Sequence, residues 1–187
     1  MLEIERKILG INKRALTLKL DKLGAIKKFS GLVRVKYFDH QDGRIKEKRD
    51  LLRVREFVER GKPAYTEIVY KSFKGVKEGN KVLEETELKL LGKESFETLC
   101  LLLSKIGFKQ TAYYEKKREI YALKNWKFEF DKYPQIPEFL EIEAQSGKDI
   151  EAAIKLLELE KHEQTADAIS RFIKKRYPKL SLDGLVF

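Results

Sequence analysis

Like charges recur two residues apart along this chain: Glu3 and Glu5, Arg53 and Arg55, Glu85 and Glu87, Lys116 and Arg118, Glu141 and Glu143. Apolar residues fill the places beside them, as in LEIERK, LLRVREFV and FLEIEA. Residues at i and i+2 share a face only in an extended strand; a helix turns them to opposite sides. The pattern therefore dictates strands with one charged and one apolar face. Within a pair the charges stand about 6.5 Å apart and repel by ~0.6 kcal/mol in water, or by about 2–3 kcal/mol at an effective dielectric near 20. A single such strand is a wet surface. Repeated through most of a sheet, beside amphipathic helices that need an apolar surface to cover, the pattern predicts helices on the greasy side and a closed sheet with its charges inside.

The alternation predicts strands over 2–8, 31–38, 51–58, 64–72, 83–91, 111–123, 126–132 and 138–144, mostly joined as hairpins. Helices are expected over 12–23, 94–106, 148–158 and 163–175. The first has Asn12 as N-cap, a stripe of Leu16, Leu20 and Leu23, and Gly24 as its stop. The second is apolar at Phe96, Leu99, Leu103 and Ile106. GVKEGNK (75–81) reads as a solvated loop at a tunnel mouth and does not match the phosphate-binding G-x-x-x-x-G-K-[ST] pattern. The tail 178–187 has no assignment. Eight antiparallel strands suffice to enclose one small ligand. The expected class is α+β: an eight-stranded antiparallel β-barrel, a tunnel with a charged lumen, helices packed outside, and one domain over 1–187.

A net charge of +10 invites an anionic partner. The bases are spread through the chain and match no nucleic-acid motif, which argues against nucleic acid. No apolar run approaches the length of a membrane span, charges begin at residue 3, and Cys100 is the lone cysteine, so a cytoplasmic protein without disulfides is expected. Cys100 and Trp126 read as packed residues, and His40 and His162 as surface residues. Enclosed carboxylates suit hard cations, Mg²⁺ or Mn²⁺, and clustered Arg and Lys suit phosphate oxygens. Together they point to a polyphosphate–metal complex.

At these residues the sequence resembles the CYTH superfamily, the triphosphate tunnel metalloenzymes, which include class IV adenylyl cyclases, thiamine triphosphatases and inorganic triphosphatases. LEIERK is similar to its E-x-E-x-K signature. The likeness continues through VKYFD (35–39), LRVRE (52–56), YK (70–71), EETEL (84–88), KKR (116–118), FEFD (128–131) and FLEIE (139–143). Val35 departs from it, standing where many members carry an acid. The resemblance implies that Lys7, Arg53, Arg55, Lys71, Lys116 and Arg118 grip a triphosphate and that Glu3, Glu5, Asp131, Glu141 and Glu143 hold Mg²⁺ or Mn²⁺. Glu3, Glu5, Lys7, Glu85 and Glu87 form the implied catalytic set, the last two as metal support or as partners that orient the bases. The activity expected is a metal-dependent triphosphatase acting on a small-molecule triphosphate, as monomer or homodimer. The first alternative is a class IV adenylyl cyclase making cyclic AMP and pyrophosphate, for which no adenine pocket is identifiable in the sequence. The second is a non-catalytic module for polyphosphate or RNA ends, which would need the bases but not the acids.

Overall fold

The structure is a computed structural model that describes residues 2–92 and 95–187. Its elements are β1 (Leu2–Ile8), α1 (Lys13–Lys22), β2 (Ile26–Asp39), α2 (Arg44–Glu47), β3 (Leu51–Val58), β4 (Tyr65–Lys77), β5 (Asn80–Leu91), α3 (Ser95–Lys105), β6 (Lys109–Leu123), β7 (Trp126–Lys132), β8 (Phe139–Ala144), α4 (Gly147–Leu157), β9 (Gln164–Thr165) and α5 (Ile169–Arg176). The strands run β5-β4-β3-β2-β6-β7-β8-β1, and antiparallel pairing of β5 with β1 closes the ring. The fold is thus the expected α+β barrel of eight antiparallel strands. The short β9 adds to β1 at Lys7 and Ile8, beyond the register that β5 occupies.

The outer wall is the greasy one. Ile8, Phe128, Phe130, Leu140 and Ile142 form a buried cluster with Leu16 and Leu20 of α1 and with Ile150, Ala153 and Ile154 of α4. Phe38, Leu52 and Val54 do the same under Phe96, Cys100 and Leu103 of α3. Side-chain oxygens of Asn12 and Ser146 accept the backbone N–H groups of Ala15 and Asp149, which caps α1 and α4. Trp126 is held from outside the barrel by a bond from its Nε1 to the Asp149 carbonyl. Among the described residues no helix is long and apolar enough to cross a membrane.

Several expectations require correction. The stretch 75–81 is not a loop: β4 and β5 run on as a hairpin to a two-residue turn at Glu78 and Gly79, both at positive φ. No continuous helix spans 163–175. Gln164 and Thr165 pair with β1, Leu9 N–H donates to the Glu163 carbonyl, and α5 begins only after Ala168. Strand β2 starts at Ile26 rather than 31, passing through Gly31, where a Cβ would sit 2.1 Å from the Val58 carbonyl oxygen. Of the apolar stripes, Leu23 is the exposed C-cap of α1, and Ile106 lies beyond the end of α3 and is exposed. The start of that helix at Glu94 lies outside the described residues.

The tail has a definite seat. Strand β7 pairs with β6 only from Lys117 onward, so β6 keeps a free edge before that point. Residues 183–185 take it: Tyr113 N–H donates to Asp183, Gly184 N–H to the Tyr113 carbonyl and Glu115 N–H to the Leu185 carbonyl. Leu182 and Leu185 are buried there with Tyr114, Tyr133, Phe139 and Phe172.

Candidate active site in the barrel lumen

Strand parity carries the charged residues into the lumen, where opposite signs meet across strands. Lys7 donates to Glu141 at 2.5 Å and lies 3.6 Å from Glu5. Lys71 bridges Glu3 at 2.7 Å and Glu85 at 2.9 Å, and Lys81 reaches Glu5 at 2.9 Å. Arg55 sits between Glu67 at 2.8 Å and Glu87 at 3.4 Å. Lys116 and Arg118 both hold Asp131, and Arg118 also contacts Glu129. Lys127 joins Glu129 at 2.6 Å and Glu143 at 2.8 Å.

The lining is not charged throughout. Strand β2 turns Val33, Val35 and Tyr37 inward, opposite Arg55 and Arg53, because its charges Arg34 and Lys36 fall on the other parity and pair outside with Glu56 and Glu97. Arg53 and Arg55 each have a buried Nε without a hydrogen bond; the groups acting on the Arg53 charge are the Tyr37 and Tyr114 hydroxyls, Glu85 and Arg118. Arg53 lines a cavity of about 430 Å³ together with Lys7, Lys71, Lys116, Arg118 and Glu143. Tyr37 and Tyr114, whose hydroxyls stand 3.1 Å apart, line the same space. That volume suits a small molecule.

Two groups of acids have ligand oxygens within 4.8 Å of one another, Glu3 with Glu5 and Glu143, and Glu129 with Glu141 and Glu143. Glu143 belongs to both. Burial raises Glu3 to about 7, opposed by Lys71 and reinforced by Glu85 and Glu5. Burial raises Glu143 to about 7 as well, with Glu129 adding to it and Lys127 opposing. Glu141 is raised too, by burial and despite Lys7. Glu5 goes the other way, because Lys7, Lys81 and Lys71 overcome its burial. Burial and the neighbouring Arg118 lower Lys116 to about 8, against the pull of Asp131. Buried carboxyls brought this close together are a donor set suited to a hard divalent cation.

All the residues singled out in the sequence face one lumen, but not in one arrangement. Glu3, Glu5, Glu141 and Glu143 enter the acidic groups; Asp131 does not, since both of its oxygens are taken by Lys116 and Arg118. Glu129 stands in its place. Glu85 and Glu87 face Lys71 and Arg55. Parity in FEFD already puts Glu129 on the face of Asp131, and that was the available signal. Lys81, Lys127 and Glu67 were also missed, each being a lone charge without an i+2 partner of like sign.

The CYTH-domain family model matches residues 1–173. The chain belongs to the CYTH family. Solved structures agree with that membership. The PH1012 protein of Pyrococcus horikoshii is 27% identical, with a TM-score of 0.67 over 86% of this CYTH chain and 94% of that one. A proposed adenylate cyclase from Vibrio parahaemolyticus is 14% identical, with a TM-score of 0.73 over 93% and 98% of the two chains. A Hippeastrum protein, HpAC1, named for adenylyl cyclase and described as revealing a dominant triphosphatase activity, is 18% identical, with a TM-score of 0.63 over 96% of each. These last two likenesses speak for the CYTH fold. No curated protein matches the sequence.

Proposed function

We propose that the chain is a divalent-metal-dependent triphosphatase acting on a small-molecule triphosphate in the barrel lumen. One observation carries the reading: Arg53, with a buried Nε that has no hydrogen bond, shares a single cavity with Lys7, Lys71, Lys116 and Arg118 and with Glu5, Glu129, Glu141 and Glu143 of the two acidic groups. Cations alone would describe an anion binder. The paired carboxylate groups favour catalysis.

In this reading Arg53, Lys71, Lys116 and Arg118 hold the non-bridging phosphate oxygens, with Arg118 aimed by Asp131 and Lys71 by Glu85. Glu3, Glu5 and Glu143, and Glu129, Glu141 and Glu143, would hold Mg²⁺ or Mn²⁺, which when bound neutralises phosphate charge and polarises the phosphoryl oxygen. Lys7, tied to Glu5 and Glu141, links the two sets. No histidine lines the cavity. Glu85 and Glu87, outside both acidic groups, are assigned to accept the proton of the attacking water.

The rival is cyclisation, favoured by the likeness to proteins named as adenylate cyclases. Incubation with Mg²⁺ or Mn²⁺ and a panel of triphosphates, followed by product separation, decides. Orthophosphate supports the triphosphatase; cyclic AMP with pyrophosphate supports the cyclase. Binding without any turnover would leave only a polyphosphate-binding module.

A further inference from the structure

One mouth of the lumen is built differently from its interior. Phe73 follows Lys71 by two residues on the inner face of β4, about 6.5 Å further along, and its cross-strand partner is Leu83. Simple alternation would then turn Val76 outward. It does not, because the register shifts between Phe73 and Gly75, with Gly75 at φ 129°, and brings Val76 opposite Lys81. Lys81 faces the lumen, where it pairs with Glu5. A bulge at a barrel rim that re-aims a side chain is a built feature rather than a defect, and glycine supplies the backbone angle it needs.

The result is an apolar ledge of Phe73, Val76 and Leu83 lining the same cavity as Arg53 and Lys71, with Ala166, Ala168 and Ile169 also on its walls. The ledge is fixed in place. Asp50 accepts the Phe73 N–H and the Tyr70 hydroxyl, each at 2.9 Å. Arg49, a non-glycine residue at φ 63°, holds its guanidinium 3.9 Å from the centre of the Phe73 ring. Val76 is 54% exposed, although the chain bends to face it inward.

An inorganic tripolyphosphate has no apolar surface and gains nothing from such a ledge. We infer that the ledge binds the flat aromatic or heteroaromatic group of an organic triphosphate whose phosphates lie on Lys71 and Arg53. The inference rests on the proposed triphosphate chemistry and adds the substrate class: an ester carrying a ring, in preference to a bare polyphosphate chain. The ring stacks beside Phe73 under Arg49, and Val76 closes the edge of the slot.

The test compares kcat/KM for ATP and thiamine triphosphate with that for tripolyphosphate, in the presence of Mg²⁺ or Mn²⁺. The wild-type chain is expected to prefer at least one of the ring-bearing substrates. Val76→Ser, at an exposed position that leaves the barrel packing intact, and Phe73→Leu, which keeps the bulk and loses the ring, should each lower the ratio of ring-bearing to ringless kcat/KM by roughly tenfold. Preference for tripolyphosphate, or an unchanged ratio in both variants, overturns the inference and leaves the triphosphatase standing. Turnover of no triphosphate at all overturns both.

Discussion

Arg118 grips Asp131 through two parallel hydrogen bonds, Nε to Oδ1 and Nη2 to Oδ2, each 2.6 Å long. Lys116 adds a third at 2.8 Å. The carboxylate is thereby committed to aiming two cations, and replacing it strands both. Asp131→Asn is expected to destabilise the fold by about 3–5 kcal/mol, the usual cost of breaking one side of a buried pair. It should raise KM for the triphosphate at least tenfold and leave the metal concentration for half-maximal activity within about twofold of wild type. Thermal melting and a metal titration of activity read the two effects separately.

Glu143 is the opposite case, because it serves both acidic groups. Glu143→Gln is expected to shift half-maximal activation by Mg²⁺ or Mn²⁺ upward by about tenfold or more, in line with loss of a direct oxygen ligand. Triphosphate affinity measured without metal should hold or improve, since the change removes a negative charge from an anion site. Equilibrium binding of tripolyphosphate in EDTA checks the second half.

Arg53 is buried at its Nε with no partner to satisfy it. An Nε left unpaired in this way adds little to the stability of the free protein and gains its partner from the substrate. Arg53→Gln is expected to leave the melting temperature unchanged or raise it, while tripolyphosphate binding weakens by about a hundredfold. A large loss of stability in the free protein would contradict this role.

Stability should depend on pH through the same acids. Glu3 and Glu143 titrate near 7 in the fold against an ordinary 4.5. A raised carboxyl binds its proton more tightly folded than unfolded, so its contribution is complete below about pH 4.5 and is lost as pH climbs through about 7. Glu5 and Asp131, both lowered, are charged in either state above that range. Lys116, lowered to about 8, acts later, restoring stability as pH rises from about 8 toward 10.5. Metal-free protein is therefore expected to lose melting temperature between about pH 5 and 8. Mg²⁺ or Mn²⁺ added at pH 8 should restore it, which calorimetry with and without EDTA can follow.

Period-two alternation made the barrel legible, because it states which face of each strand is greasy and the helices state which face must be covered. It failed where backbone geometry broke the period. The bulge at Phe73–Gly75 resets parity within one strand, and the turn at Glu78–Gly79 lacks the Asn-Gly or Asp-Gly signal that marks such hairpins. Residues 163–168 read as helix because the competing partner, the end of β1, is more than 150 positions away. The seat of the tail depends on β7 stopping short of Lys116, a length mismatch that no local pattern records. At the site, i+2 doublets revealed most of the charged lining. Glu129 forms such a doublet with Asp131, but spacing does not say which of the two has both oxygens taken by Lys116 and Arg118 and which joins the acidic group.

Strand β1 is ordered between partners that arrive late: Leu2 sits opposite Glu84 on one edge, and Lys7 opposite Glu141 on the other. During synthesis at about 5–20 residues per second, its second partner emerges roughly 7–30 s after it does. Until β5 emerges both edges of this alternating strand stand unpaired, and until β8 follows one of them still does, which is the condition that invites pairing with a neighbouring nascent chain. Such distant pairings also make for slow ring closure, on the scale of milliseconds to seconds once the chain is complete. The acids that would hold the metal therefore come together only in the last step of folding, and a chain stopped short of β8 can never assemble them.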